Sequence, residues 1–427
     1  MKKNRIFNMA LLVALMAVAL VSCQKKAETT TTTNTVTKEE VKEVVAKDVS
    51  YEDGTYFAME DNFDSNGWKF VVTLVVENGK IAKADWNGVN VSAGPSKKDV
   101  DKAGHYNMKK FGGAQSDWYE QAEKVEEYLI KTQDPSVISF KDDAGHTDDI
   151  AGVSVHVVEF FELAQEALDN GPVGRGMYED GAYYFSDSEF PENGWKDYVS
   201  LTVINGNIVG ANWSAINKVG EDKKLYDAAG KYNMVKFAGA QAEWSEQAAK
   251  AEQYLMDSQD PSMIAYKDDA GHTDDIAGVS IHVNTFFTLA DAALKAGPIA
   301  SGPYVDGGYY ASAAEFDNGW KEYVSLFVKN GNIVNVYWSA VNEDGEDKKD
   351  YDMAGNYNMV EFGGAQADWY KQAAIAEQHL IDTQDVTAIT YKDDSGHTDD
   401  IAGVSVHVNG LYELAAQALA NGVVTVE

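Results

Sequence analysis

Cysteine is almost absent: Cys23 is the only one in 427 residues. A fold built from the residues beyond it has neither disulfides nor thiolate metal ligands. Long apolar runs are missing too. The longest, Met9 to Val21, falls short of the roughly 20 residues that a membrane-spanning helix needs. Basic residues are outnumbered, with 35 Lys and Arg against 68 Asp and Glu and a formal net charge of -33. So acidic a surface repels phosphate backbones and anionic headgroups, which makes nucleic acid a poor partner. What the chain does have is 44% hydrophobic and 11% aromatic residues, enough for packed cores and unlike a disordered composition.

The N-terminus is specific. Lys2, Lys3 and Arg5 precede the Met9–Val21 run, in the order of a signal peptide's charged and apolar regions. The run ends Leu20-Val21-Ser22-Cys23, which resembles the bacterial lipobox, whose cysteine is acylated and becomes the mature N-terminus. The resemblance implies a signal peptide over 1–22 and an exported chain anchored in the lipid bilayer through Cys23, since two or three acyl chains give durable attachment. The following Lys/Thr/Glu-rich stretch, with Thr29 to Thr33 and no aromatics, predicts a flexible tether that extends to residue 49.

Beyond the tether the chain repeats itself. Its nine tryptophans fall in three sets, Trp68, Trp86 and Trp118, then Trp195, Trp213 and Trp244, then Trp320, Trp338 and Trp369. The period of about 126 residues is that of a whole domain rather than a solenoid unit. Domains are expected at 50–171, 177–298 and 303–423. Within the first, Asp53 to Ala58 reads as a short strand, and Trp68 to Glu77 as a longer one that turns at Asn78-Gly79 into a third. A helix is expected from Ala114 to about Thr132, with Trp118, Ala122, Val125 and Leu129 on one face. A brief strand over Ser136–Phe140 and a closing helix with Val157, Phe161, Ala164 and Leu168 on one face complete the reading. Antiparallel hairpins followed by helices make each repeat an α+β domain.

One stretch is nearly identical in all three: Lys141-Asp142-Asp143-Ala144-Gly145-His146-Thr147-Asp148-Asp149-Ile150-Ala151-Gly152-Val153-Ser154, recurring over 267–280 and, with Ser395 for alanine, over 392–405. Asp148 and Asp149 suit the N-cap and first turn of a helix, and Gly152 permits close backbone approach. Such a helix start favours an anion, and a serine there is either an anion ligand or the hydroxyl to which a phosphate is esterified. Capping by Ser154 is the plainer reading.

The stretch resembles the flavin-attachment motif of the FMN-binding domain family, Asp-x-x-Ser/Thr-Gly-Ala-Thr, in which a flavin transferase esterifies FMN phosphate onto the last residue. Asp148, Gly152 and Ser154 match it, as do Asp274, Gly278 and Ser280, and Asp399, Gly403 and Ser405. Ala151 departs from the Ser/Thr, Val153 from the alanine and Ser154 from the threonine, identically in each copy. The resemblance spans residues 50 to 423, and the whole chain is similar to multi-flavin lipoproteins of the pheromone-lipoprotein type. It implies covalent FMN on Ser154, Ser280 and Ser405. It also implies a flavin transferase for maturation and electron relay from a membrane redox donor to an extracellular acceptor, without turnover of an organic substrate. A surface lipoprotein that binds a ligand or host component through repetition, without flavin, is the alternative.

Other repeated residues carry weaker expectations. Trp86, Trp213 and Trp338 read as core residues before flavin-stacking ones, and Tyr106-Asn107-Met108 as a structural turn before a flavin contact. His146 amid Asp142, Asp143, Asp148 and Asp149 lacks the alternating spacing of a calcium loop, so no metal is assigned. His156 is read as a surface or capping residue.

Overall fold

A computed structural model describes residues 49–425, in which each third of the chain repeats one element order. The first third holds strands β1 (Gly54–Met59), β2 (Trp68–Glu77) and β3 (Lys80–Asn90), then helices α1 (Lys97–Lys102), α2 (Met108–Gly112), α3 (Trp118–Thr132) and α4 (Val158–Asn170). The second holds β4 (Gly181–Ser186), β5 (Lys196–Ile204), β6 (Asn207–Ile216), α5 (Lys223–Ala228), α6 (Met234–Ala238), α7 (Trp244–Ser258) and α8 (Asn284–Ala296). The third holds β7 (Gly307–Ser312), β8 (Trp320–Lys329), β9 (Asn332–Asn342), α9 (Lys348–Met353), α10 (Met359–Gly363), α11 (Trp369–Thr383) and α12 (Asn409–Asn421). The protein is thus α+β, with three antiparallel three-stranded sheets in simple meander order. The signal peptide, Cys23 and the tether up to residue 48 lie outside the described residues.

Each long hairpin turns on an Asn-Gly pair in the left-handed region, with Asn78 at φ 55° and Gly79 at φ 74° in the first. That conformation matches strand twist and is cheap for these two residues. Register slips once per hairpin, between Val75 and Val76 and at the equivalent places in the other two sheets. From β2, Val72, Leu74 and Val76 face the helices. They pack with Trp86 of β3, Trp118, Val125 and Leu129 of α3, and Phe160 and Phe161 of α4. Fully burying each such side chain contributes about 1.5–3 kcal/mol.

The second face of each sheet is covered by a neighbouring repeat. Val71 and Val89 pack on Ile204 and Val209, and Tyr198 and Ile216 pack on Phe327. Polar contacts join the same surfaces: Thr202 Oγ1 donates to the Gly94 carbonyl at 2.8 Å and Ser325 Oγ to that of Lys218 at 2.9 Å. Lys329 Nζ reaches the Ser92 carbonyl of the first repeat at 2.9 Å. Gly308 lies so close to the second repeat that a Cβ would fall 1.8 Å from the Gly220 oxygen. The described residues of the three repeats accordingly belong to one unit.

Two expectations are corrected. Ser136–Phe140 is not a strand: Pro135–Val137 is a 3-10 turn, capped by Asp134, whose Oδ1 accepts from Ser136 N at 2.9 Å. On the edge of β3, Ile81 is satisfied by Gln133. Its Nε2 donates to the Ile81 carbonyl at 2.9 Å and its Oε1 accepts from Ile81 N at 2.8 Å. The central helix starts at Trp118, not Ala114, because Glu120 accepts from the Asp117 amide at 2.8 Å and closes a capping box there.

Candidate functional site

The repeated stretch is a loop between α3 and α4, pinned at both ends. Thr147, 2% exposed, donates from Oγ1 to the Ser139 carbonyl at 2.8 Å and accepts from Asp149 N at 3.0 Å. Asp149 accepts from Ser139 N at 2.8 Å, and Ile150 enters the core. The chain re-enters the core fully at Val157; between these anchors Val153 and Val155 rest against the core while Ala151, Gly152, Ser154 and His156 are exposed.

This geometry corrects the expected capping. α4 begins at Val158 with Val157 as N-cap and no side-chain cap, so neither Asp148, Asp149 nor Ser154 caps it. Asp148 instead pairs with Lys141 at 3.1 Å, in the open. Asp149 ties the loop to Ser139. The equivalents Asp274 and Asp399 pair with Lys267 and Lys392, each at 2.9 Å.

Ser154 is held from the central helix. Gln121 of α3, 1% exposed, accepts through Oε1 from Ser154 N at 2.7 Å, Ser154 Oγ at 3.2 Å and Val155 N at 3.2 Å. Gln247 and Gln372 hold the amides of Ser280 and Ser405 at 2.7 Å and their hydroxyls at 3.1 Å. All three serines are exposed. Gly152 turns the chain at φ +75°, and its carbonyl accepts from Lys124 Nζ at 3.1 Å. Lys250 does the same for Gly278 at 3.2 Å, whereas Gly403 faces Ile375.

Trp86, Trp213 and Trp338 are core residues, none more than 3% exposed. Trp213 Nε1 donates to Asp197 Oδ1 at 3.0 Å, and burial pushes that carboxyl up to about 6. Tyr106-Asn107-Met108 is a turn in which Asn107 adopts the left-handed conformation as N-cap of α2. The turn also serves an aromatic cage. Lys97 Nζ lies 4.5 Å from the Trp68 ring centre, 4.4 Å from that of Tyr106 and 5.2 Å from that of Trp118. Burial pushes this amine down to about 8. Lys223 and Lys348 occupy the same cages and are lowered for the same reason. The glutamines and the caged lysines escaped the sequence reading, although the Lys-Lys pairs and the Gln three residues after each helix-opening tryptophan recur in every repeat.

No family model matches the sequence, and no curated protein matches it. Solved structures similar to it include a Clostridium thermocellum protein determined by solution NMR. It is 51% identical over a match covering 28% of this chain and 91% of that one, with a TM-score of 0.24. A Clostridium perfringens protein determined by crystallography is 27% identical, with 28% and 88% of the two chains covered and a TM-score of 0.23. Each match has the size of a single repeat.

Proposed function

We propose that the protein is a membrane-anchored, extracytoplasmic flavoprotein that carries covalent FMN on Ser154, Ser280 and Ser405 and relays electrons outward. The observation that carries this reading is the state of the three serines. Each is exposed, while the bond from Gln121, Gln247 or Gln372 to its backbone amide keeps the loop in place without the hydroxyl. Converting the hydroxyl to a phosphoester therefore removes one weak bond and leaves the support intact, which suits an attachment point. Lys124 and Lys250, bonded to the turn two residues before the serine, supply positive charge beside an esterified phosphate in the first two repeats. Flavin contributes the redox chemistry when bound; the chain contributes attachment and orientation.

The test is intact and peptide mass of protein from its native host, with in-gel flavin fluorescence. FMN-sized additions on the three serines, lost one at a time in Ser154→Ala, Ser280→Ala and Ser405→Ala, are expected. An unmodified, dark chain from cells with an active flavin transferase refutes the reading.

A further inference from the structure

The loop also does something that the serine does not require. In each repeat it brings two histidine rings together: His146 with His156, His272 with His282 and His397 with His407, with ring centres 5.4, 4.3 and 4.2 Å apart. The backbone is built for this. Gly145 sits at φ +82°, and its carbonyl accepts from Val157 N at 2.9 Å, as those of Gly271 and Gly396 accept from Val283 and Val408. A Cβ at Gly145 would lie 2.4 Å from Val158 Cγ1, and Cβ atoms at Gly271 and Gly396 would strike Asn284 and Asn409. Glycine alone lets the loop close onto the start of α4. The histidine after the glycine thereby meets the one just before the helix.

The first ring of each pair is also oriented. His146 Nδ1 lies 2.9 Å from Asp142 Oδ2, and His272 and His397 make the same contact with Asp268 and Asp393 at 2.7 Å. A carboxylate only accepts, so Nδ1 carries a proton, and it is the Nε2 of the neutral ring that offers its lone pair to a metal. The backbone N–H of His146 also donates to Asp142 Oδ1, at 3.1 Å, so one carboxylate braces both the ring and its backbone. A carboxylate behind an imidazole is how proteins aim a metal-binding histidine.

The spacing fits as well. A metal–nitrogen distance of about 2.0–2.1 Å, with about 1.1 Å more to the ring centre, puts two ligating rings about 4.5 Å apart at a right angle and about 5.2 Å apart at the tetrahedral angle. The observed separations lie within a few tenths of an ångström of that range.

The geometry points to a site for a borderline divalent cation, Zn2+ or Cu2+, at each histidine pair, with two imidazole nitrogens as protein ligands and water completing the shell. Among the described residues no group of three or more His, Cys, Asp or Glu is placed to hold a metal ion. Each site is therefore an open one of modest affinity rather than a closed structural zinc. Imidazole ligands disfavour Ca2+ and Mg2+, which prefer oxygen. The site stands independently of flavin attachment.

The test is calorimetric titration of the metal-stripped full chain with Zn2+ alone, in excess Ca2+ so that carboxylates are occupied. About three equivalents are expected, falling by one with each of His156→Gln, His282→Gln and His407→Gln. Asp142→Asn with its two counterparts is expected to weaken binding roughly 10- to 100-fold without changing the stoichiometry. Less than one equivalent, or binding that survives the triple histidine substitution, overturns the proposal; in the second case the acidic surface would be the ligand.

Discussion

The buried Lys–Glu pairs allow a graded test of the packing between sheet and central helix. Lys98 donates to Glu126 at 2.6 Å, Lys224 to Glu252 at 2.5 Å and Lys349 to Glu377 at 2.5 Å, and each glutamate also accepts from the amide of the core tryptophan on β3, β6 or β9. The three pairs differ in their third partner. Lys98 has a second carboxylate, Asp85, at 2.6 Å. Lys224 has only the Asn212 amide oxygen at 2.8 Å, and Lys349 has the face of Tyr337 at 4.3 Å. Replacing Glu by Gln preserves shape and the amide contact but removes the charge. Glu377→Gln strands a buried ammonium and is expected to cost about 3–5 kcal/mol. Glu126→Gln leaves Lys98 paired with Asp85 and is expected to cost about 2 kcal/mol less. Burial pushes Glu126 up to about 7 and raises Glu377 as well, so urea unfolding followed by tryptophan fluorescence belongs at pH 8. Replacing both partners, Lys349→Met with Glu377→Leu, is expected to return stability to within about 1 kcal/mol of the parent. Equal losses for Glu126→Gln and Glu377→Gln, or no recovery in the double variant, would refute the reasoning.

Further predictions concern the loop and the cages. Gly145→Ala is expected to cost about 2–4 kcal/mol, combining left-handed strain with the Val158 clash. Gly113→Ala, in the left-handed region at φ 65° and ψ 17° but with nothing within 4 Å of a Cβ, isolates the strain at about 1–2 kcal/mol, and thermal melts of the two variants compare them. Gln247→Met removes the acceptor of the Ser280 amide and is expected to cost about 1–3 kcal/mol, seen as faster hydrogen exchange at Ser280 with little change elsewhere. Lys97, pushed down to about 8 when folded from an ordinary value of 10.5, binds fewer protons in the folded state than in the unfolded between those limits. Stability is therefore expected to rise with pH from about 8 to 10.5, and Lys97→Met to flatten that rise in urea midpoints.

Much of this architecture was legible in the chain itself. A period of about 126 residues, an Asn-Gly turn in each hairpin and helix faces written by Trp118, Ala122, Val125 and Leu129 are local patterns, and local patterns are set by backbone propensity and side-chain period. The repeated stretch stood out as well, because a segment kept with a single substitution through three repeats marks a common structure. Its geometry was not. Whether Asp148 caps a helix depends on where the chain re-enters the core, and only the simultaneous burial of Ile150 and Val157 decides that. The anchoring of Ser154 by Gln121 and the meeting of His146 with His156 join residues from separate segments, brought together by α3 packing and by a glycine that admits no side chain. The same holds for the outer faces of the sheets. β5 and β6 are buried on both sides because other repeats cover them. The sequence by itself determined the hairpins, the two long helices of each repeat and their order. Tertiary packing alone decided which residues meet, because non-local contacts are chosen by shape and burial rather than by spacing along the chain.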